Sequence, residues 1–321
     1  MPAFLSLHSS RRKTSTVSGA GEERIIARAR RLFSGGARPA PGVVRGIDDD
    51  AAVLAPAGRG WLELLAIDTI VEGTHFAPAT PPGRIGRKAL AVNISDIAAM
   101  GGIPMHAVVS LTLTGREPLA FVGRLMAGIA EMAGAHGVTV VGGDTVGGPA
   151  LSITIALRGR VEPSRVCYRS GARPGDLVAV TGRLGGSFAS GRHLDFMPRA
   201  AEARWLVSHA QPSSMMDLSD GLALDAQRMA CASGVALHLD AAAIPVARGS
   251  SLDAALHEGE DFELLCCFPA GRISGRETGI FARKFSVTLS VIGEVRKGAP
   301  GVFIDGGKLT PRGFDHFGPE L

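Results

Sequence analysis

The chain has 321 residues, of which 45% are hydrophobic and 20% charged, and its net charge is +4. These values are typical of a globular protein long enough for two domains, and they exclude a disordered chain. Part of the basic excess lies in Arg11, Arg12 and Lys13, and aromatic residues are scarce, so we expect no nucleic-acid surface. No apolar run approaches the length of a membrane span. The four cysteines lack metal-ligand spacing and fit a protein of the reduced cytoplasm.

The first half of the chain is predicted to alternate between helices and strands. Residues 1–20 are rich in Ser, Thr and Arg, and we expect them to form a disordered tail. Helices are predicted at 22–31, 84–100 and 118–137, and strands at 62–68, 106–114, 138–144 and 151–161. The alternation favours the α/β class.

The turn-rich stretch 162–176 predicts a domain boundary. We therefore expect an N-terminal domain over 21–162 and a C-terminal α/β domain over 163–321. In the second half, strands are predicted at 176–182, 235–239, 262–268 and 287–295, and helices around 185–209 and at 222–232. The second half thus repeats the mixture of helix and strand seen in the first.

Five aspartates stand where apolar segments end: Asp49, Asp68, Asp96, Asp144 and Asp220. A carboxylate beside buried sequence is costly unless a positive charge neutralises it, and these motifs contain few basic residues. Magnesium takes oxygen ligands, usually one or two carboxylates together with phosphate oxygens. The dispersed aspartates therefore suggest several magnesium ions that hold a polyphosphate.

Two of these motifs differ in how well an ordinary structural role explains them. In AVNISDIAAMGG, Asn93 and Asp96 are i,i+3 neighbours on an otherwise apolar helix, which favours a functional role. In VVGGDTVGG, Gly143 and Asp144 follow an apolar run, and glycine amides there can hold a phosphate. An ordinary β-turn explains this second motif equally well.

Further polar residues flank the predicted strands of the second half. DLSDGLALD places Asp217, Ser219 and Asp220 before a helix, and a helix N-cap explains only one of the three. Glu260 and Asp261 precede an apolar strand, where an edge-strand role and a ligand-facing role are about equally favoured.

Two basic or titratable residues are weaker candidates. Arg169 lies beside glycines and suits phosphate binding, although a charged linker is the simpler interpretation. His75 follows a strand and an acidic turn, where a structural role is the commoner one. The sequence contains no GxxxxGK[ST], GxGxxG or HRD and DFG motifs, which excludes the common nucleotide folds.

Taken in order, the motifs resemble those of the thiamine-monophosphate kinases, within the superfamily of aminoimidazole ribonucleotide synthase. The resemblance covers about 22–317 and depends on GIDDDAAVL, DTIVEGTHF, RKALAVNISDIAAMGG, GGDT, RSGARPGD, DLSDGLALD, GEDFELL and GFDHF. It implies a two-domain fold of the α+β type whose N-terminal domain forms a homodimer through its sheet.

The resemblance also implies which residues form the site. The implied metal ligands are Asp49, Asp68, Asp96, Asp144, Asp217 and Asp220; the ATP contacts are Gly143, Asp144, Arg169 and Ser219; the substrate contacts are His75, Glu260, Asp261 and Phe314. The chain departs from the family pattern at Asp48, where glycine is usual, at Ala66 and Ile67, where hydroxyl residues are usual, and at Met126, where Tyr is frequent.

The implied activity is ATP-dependent phosphorylation of thiamine monophosphate to thiamine diphosphate by in-line transfer assisted by several Mg²⁺ ions. ATP and thiamine monophosphate are then the ligands, without nucleic-acid or membrane partners. A second hypothesis is a related enzyme that uses ATP to activate another small-molecule acceptor. A third is a non-catalytic nucleotide-binding dimer, suggested by the missing hydroxyl groups at Ala66 and Ile67.

Overall fold

The structure, a computed structural model, describes residues 24, 26–27, 42–47, 49–55 and 60–314, and residues 39–314 form one compact unit. The predicted tail at 1–20, most of the predicted helix at 22–31, and Asp48 lie outside the described residues. Among the residues that are described, no helix has both the length and the apolar composition needed to cross a bilayer.

The first sheet has six strands in the order β1-β2-β3-β6-β4-β5. They are β1 (Val43–Arg45), β2 (Ala52–Leu54), β3 (Leu62–Val71), β4 (Ile103–Leu113), β5 (Thr139–Gly147) and β6 (Ser152–Val161). Burial alternates along β6, which is typical of a sheet with one face on the core. The edge strand β5 pairs in parallel with β4, and the remaining pairs are antiparallel.

Two long helices cover the buried face of this sheet. They are α1 (Pro82–Ala99) and α2 (Leu119–His136). A Cβ atom added at Gly86 would lie 2.0 Å from the Leu125 carbonyl oxygen, and one added at Gly128 would lie 2.0 Å from the Gly83 carbonyl oxygen. The glycines therefore let the two helix backbones touch, and this contact fixes the position of α1, which carries Asp96.

The second sheet has seven strands in the order β13-β12-β9-β11-β7-β10-β8. They are β7 (Leu177–Thr181), β8 (Ser214–Asp217), β9 (Ala236–Leu239), β10 (Leu264–Phe268), β11 (Leu289–Arg296), β12 (Gly301–Ile304) and β13 (Gly307–Lys308). The helices of this half are α3 (Ser187–Ser190), α4 (Arg192–Asp195), α5 (Ala200–His209), α6 (Leu222–Ser233), α7 (Leu252–His257) and α8 (Gly275–Phe285).

The core of the molecule is shared between the two sheets. One apolar cluster joins residues of the first sheet and α1 with residues of α5, β10 and α8, among them Ile97, Leu206 and Phe268. A second cluster fills the space between α6 and the other face of the second sheet, around Leu222 and Leu237. Because α1 packs against both halves, its polar residues contact both, which positions the site described next.

Candidate active site

Three aspartates from distant parts of the chain meet at one place. A carboxylate oxygen from each of Asp50, Asp96 and Asp217 lies within 4.8 Å of the others. Asp50 follows β1, Asp96 lies on α1 and Asp217 ends β8, so both halves of the chain contribute. A fourth carboxylate, that of Asp68 on β3, lies close enough to Asp96 to raise its pKa. We call Asp50, Asp68, Asp96 and Asp217 the aspartate cluster.

Polar residues of α1 hold this cluster in place. The Asn93 side chain accepts a hydrogen bond from the Asp68 backbone N–H at 3.1 Å and donates to the Ala89 carbonyl at 3.1 Å. Two residues later, on the other side of the helix, the Ser95 hydroxyl donates to Asp217 at 2.5 Å. The helix therefore connects β3 on one side with β8 on the other.

The cluster is electrostatically strained. Burial raises the pKa of Asp96 well above its usual value, and the neighbouring Asp68, Asp217 and Asp50 raise it further. Burial and Asp50 likewise raise the pKa of Asp217. Among the described residues, Asp50 Oδ2 is buried without a hydrogen-bond partner. A set of carboxylate oxygens that repel one another and include a buried oxygen with no donor fits a hard divalent cation such as Mg²⁺.

The structure differs from the sequence analysis at the triple aspartate, since Asp50 joins the cluster and Asp49 does not. Asp49 accepts hydrogen bonds from Arg45 Nε at 2.9 Å and from the Arg169 backbone N–H at 2.7 Å. Asp49 forms an isolated bridge with Ile47, whereas Asp50 lies at a bend, and of these two adjacent aspartates it is Asp50 that faces the cluster. Three consecutive aspartates signal the site without indicating which of them faces it.

Arg169 lies beside the cluster. Its guanidinium donates to Asp50 Oδ1 at 2.7 Å, and its carbonyl accepts a hydrogen bond from Ser214 Oγ at 2.7 Å. Within the described part of the chain, Arg169 Nε is buried and has no hydrogen-bond partner. A guanidinium beside a metal-binding cluster is suited to contact the phosphate oxygens that the metal would hold.

The turn that contains Ser219 and Asp220 lies between the cluster and Glu260. The Ser219 carbonyl accepts a hydrogen bond from the Glu260 N–H at 2.7 Å. The Asp220 carboxylate is paired with Arg228, and its backbone N–H donates to Asp225 at 3.0 Å. Asp220 also raises the pKa of Asp68, after the larger effect of burial, so it lies close to the cluster.

Gly143 and Asp144 lie apart, on the exposed edge strand β5. Asp144 Oδ1 accepts a hydrogen bond from the next backbone N–H, that of Thr145, at 2.8 Å. Of the described residues, the carboxylates that gather within 4.8 Å do not include Asp144. A Cβ at Gly143 would lie 2.0 Å from the Val109 carbonyl oxygen, so the contact with β4 requires glycine there. The predicted metal and ATP roles of this pair stay predictions.

His75 and Phe314 are distant in the chain and meet in the structure. Their ring centroids are 6.4 Å apart in an edge-on arrangement. The Phe314 backbone N–H donates to the Asp220 carbonyl at 3.2 Å, which places this pair next to the turn described above. His75 Nδ1 accepts a hydrogen bond from the Val71 N–H at 3.0 Å, so a neutral imidazole carries its proton on Nε2.

Glu260 and Asp261, which the sequence analysis grouped together, have different surroundings. Glu260 pairs with Lys88 of α1 and is close enough to Asp220 and Asp68 for both to raise its pKa, although burial raises it most. Asp261 accepts hydrogen bonds from the Gly185 N–H at 3.0 Å and from Ser187 at 2.9 Å, and it pairs with Arg192. Glu260 therefore faces the site, whereas Asp261 stabilises the loop before α3 through its hydrogen bonds.

Lys88, which was not among the predicted site residues, is fully buried beside Glu260. A lysine within the otherwise apolar run KALAV was the available signal. Of the positions that depart from the family pattern, Ala66 is buried, and Ile67 is 66% exposed on the opposite face of β3. Met126 is partly exposed on α2. The apolar side chain at Ile67 therefore points away from the face that Asp68 shares with Ala66.

Comparisons with known proteins identify the family of this chain. Residues 48–161 match the family described as AIR synthase related protein, N-terminal domain. The thiamine-monophosphate kinase of Rhodopirellula baltica is 34% identical over 304 residues, which cover 88% of this chain and 94% of that protein. The thiamine-monophosphate kinase of Bacillus subtilis is 34% identical over 284 residues, which cover 78% of this chain and 85% of that protein.

The fold also matches solved structures. The structure of AaThiL complexed with AMPPCP and TMP has a TM-score of 0.79 and 29% identity to this chain, and the match covers 95% of this chain and 99% of that one. The aminoimidazole ribonucleotide synthase-like fold expected from the motifs is thereby confirmed. On the strength of its identity to curated relatives over most of its length, this chain belongs to the thiamine-monophosphate kinase family.

Proposed function

We propose that the protein transfers the terminal phosphoryl group of ATP to the phosphate of thiamine monophosphate, which gives thiamine diphosphate and ADP. The observation that carries this proposal is the position of the turn at Ser219 and Asp220. It contacts Glu260 and Phe314 and lies beside the aspartate cluster. A relative of the same fold that is complexed with AMPPCP and TMP supports the same ligand pair.

The residues of the site have two tasks: to neutralise the charge of the phosphate oxygens and to align the two phosphate groups. Asp50, Asp68, Asp96 and Asp217 would hold Mg²⁺, which when bound neutralises and aligns phosphate oxygens. Arg169, held by Asp50, adds a fixed positive charge beside them. The acceptor phosphate is already ionised at neutral pH, so the transfer requires alignment of two anions and no strong general base.

On the acceptor side, the structure supports roles for a ring and a hydrogen-bond donor. The Nε2–H of His75 is the group suited to donate to the phosphate of thiamine monophosphate, because Nδ1 already accepts from the Val71 N–H. Phe314 supplies an aromatic surface next to His75 for the flat rings of the acceptor. We therefore favour a phosphorylated heteroaromatic acceptor over the other acceptors of the superfamily. A reaction fed by ATP also favours the cytoplasm as its location.

We further propose that the protein is a homodimer joined through the first sheet. Ile67 and Val108 are both paired with Ala156 of β6, so they flank Ala156 on one face of the sheet, where they are 66% and 44% exposed. Val141 and Val146 of β5 add further exposed apolar surface. Exposed apolar surface of this extent favours a protein interface. Val108→Lys should convert the dimer to a monomer in sedimentation velocity, whereas Ile280→Lys on α8 should not.

The experiment that tests the activity is an assay of purified protein with ATP, Mg²⁺ and thiamine monophosphate in which thiamine diphosphate is followed by chromatography. We expect equal amounts of thiamine diphosphate and ADP, and no product in excess EDTA. Tight ATP binding without product would favour the non-catalytic dimer. ADP formation only with another acceptor would favour a related enzyme.

A further inference from the structure

Lys88 is a buried lysine that contacts both sides of the acceptor site. Its side chain is fully buried, and its Nζ donates to the His75 carbonyl at 2.9 Å and pairs with the Glu260 carboxylate. His75 precedes α1, and Glu260 precedes β10 in the second half of the chain. One ammonium group therefore joins two segments that only the folded chain brings together.

A buried ammonium is costly, which makes a purely passive role a poor explanation. Burial lowers the pKa of Lys88 and raises that of Glu260, so desolvation opposes the charged form of both. The pair persists because each group neutralises the other. An apolar side chain of similar volume would fill the same space without this cost.

The segment that carries Glu260 is conformationally demanding. Glu260 has a φ of 57° and Phe262 a φ of 49°, which L-residues rarely adopt. Their N–H groups donate to the Ser219 carbonyl at 2.7 Å and to the Leu218 carbonyl at 2.8 Å. Such strain persists only where the surroundings hold the backbone firmly, and it is concentrated at functional sites. Lys88 supplies the contact that holds the side chain of this segment.

The second contact of Lys88 concerns the turn that orients His75. The His75 N–H donates to the Val71 carbonyl at 2.9 Å, and its Nδ1 accepts from the Val71 N–H at 3.0 Å. With Lys88 on its carbonyl, the His75 backbone is held from both sides, which sets the direction of Nε2.

We propose that Lys88 is a positioning residue of the acceptor site. It keeps Glu260 neutralised and in one conformation, and it orients His75 for the phosphate of thiamine monophosphate. This inference rests on the proposed function. Without Lys88, a lone carboxylate would remain beside the place where the acceptor phosphate binds, and it would repel that phosphate.

The test is a set of three variants, Lys88→Met, Glu260→Gln and the double variant, measured for both KM values, for kcat and for melting temperature. We expect Lys88→Met to raise the KM for thiamine monophosphate about tenfold or more, as the loss of charge-assisted hydrogen bonds implies, with little change in the KM for ATP. The double variant should recover melting temperature, because the lone carboxylate is removed, while its acceptor KM stays high and no higher than that of the worse single variant.

Arg199→Met is the matched control, because Arg199 also pairs with a buried glutamate, Glu263, and its second ion pair is with Glu202. It should lower the melting temperature without changing the acceptor KM. A lowered melting temperature with an unchanged acceptor KM in Lys88→Met would overturn the inference and leave the proposed function standing. If Lys88→Met does not fold, Lys88→Gln, which keeps a hydrogen-bond donor for the His75 carbonyl, provides the KM comparison. Wild-type protein that forms no thiamine diphosphate would overturn the proposed function and this inference together.

Discussion

Two groups of buried carboxylates in this molecule have opposite surroundings. Glu263 accepts hydrogen bonds from Arg199 at 2.7 and 2.6 Å and from the Thr181 hydroxyl at 2.7 Å. Its neighbour Asp261 is satisfied by backbone N–H, hydroxyl and guanidinium groups. Each of these carboxylates accepts hydrogen bonds from several protein donors without any ligand.

Among the described residues, the aspartate cluster has fewer such donors. Asp96 has carboxylates as its charged neighbours, Asp217 has the Ser95 hydroxyl, and Asp50 has Arg169 on one oxygen. Burial alone therefore does not mark a functional carboxylate. A shortage of hydrogen-bond donors marks a functional carboxylate, because the missing positive charge must then come from a ligand.

Asp96→Asn should have the largest effect and tests this comparison directly. Turnover should fall by a factor on the order of 10²–10³, because a neutral amide is a poor metal ligand and leaves phosphate charge unbalanced. The same change should raise the melting temperature measured in EDTA, since it removes repulsion within the cluster. Turnover and EDTA melting curves on one preparation provide both results. If Asp96→Asn turned over as fast as the wild type at limiting magnesium, Asp96 would not be a metal ligand.

Glu263→Gln should do the opposite. Removing this carboxylate leaves Arg199 with its longer contact to Glu202, at 3.6 Å, so the free energy of unfolding should fall by about 3 kcal/mol. Both KM values should stay near those of the wild type, because the Glu263 side chain contacts Arg199 and Thr181 and lies outside the cluster. Urea unfolding and steady-state kinetics measure the two expectations. A large loss of turnover at wild-type stability would contradict the distinction between the two groups.

The sequence predicted most of the long, strongly patterned elements, and it missed the 11-residue helix α8 (Gly275–Phe285) together with several short elements. The strand predicted at 62–68 extends over Leu62–Val71, and the helix predicted at 118–137 is Leu119–His136. The three-residue strands β1 and β2 and the last two strands were not predicted. Strands of two to four residues carry too few positions for a period to be recognised, and their pairing depends on distant neighbours.

The site residues, too, could be predicted only in part from the sequence. The motifs pointed to Asp96, Asp217, His75 and Phe314, because each of these residues has a fixed position within its motif. In the structure, Asp96 and Asp217 meet in the cluster, and His75 meets Phe314. Whether Asp49 or Asp50 faces the cluster depends on the direction of a side chain, which only the packing decides. The unlike surroundings of Glu260 and Asp261 likewise depend on contacts with residues far away in the chain.

Asp225 has hydrogen-bond donors, as Glu263 and Asp261 do, and a carboxylate neighbour, as the cluster aspartates do. It makes the stability of the protein depend on pH. It is fully buried; burial and the neighbouring Asp220 raise its pKa to about 7, while Arg228 opposes this. At pH values between the pKa of an ordinary Asp and about 7, the folded protein therefore keeps a proton on Asp225 that the unfolded chain has lost. Stability from this group is therefore complete at acidic pH and decreases as pH rises, by at most about 1.4 kcal/mol per pH unit.

Urea unfolding in EDTA between pH 5 and 8 measures this slope. The expected slope is negative up to about pH 7, the pKa of Asp225, and is shallower in Asp225→Asn, which cannot ionise. The cluster contributes a slope of the same sign, since the pKa values of Asp96 and Asp217 are also raised. Equal slopes in the wild type and in Asp225→Asn would mean that Asp225 does not titrate in this range.

His75→Ala and Phe314→Ala should have the smallest effect of these changes and separate the acceptor side from the metal side. His75 and Phe314 pack edge-on beside Asp220, and neither belongs to the aspartate cluster. Each variant should raise the KM for thiamine monophosphate about tenfold, the effect of one lost hydrogen bond or aromatic contact. The KM for ATP should change little. If Phe314 only fills a gap and His75 only ends a strand, melting temperature would fall while the acceptor KM stayed the same. Measuring melting temperature and both KM values on the same samples decides between these outcomes, and an unchanged acceptor KM in both variants would remove the main reason for choosing thiamine monophosphate over other acceptors.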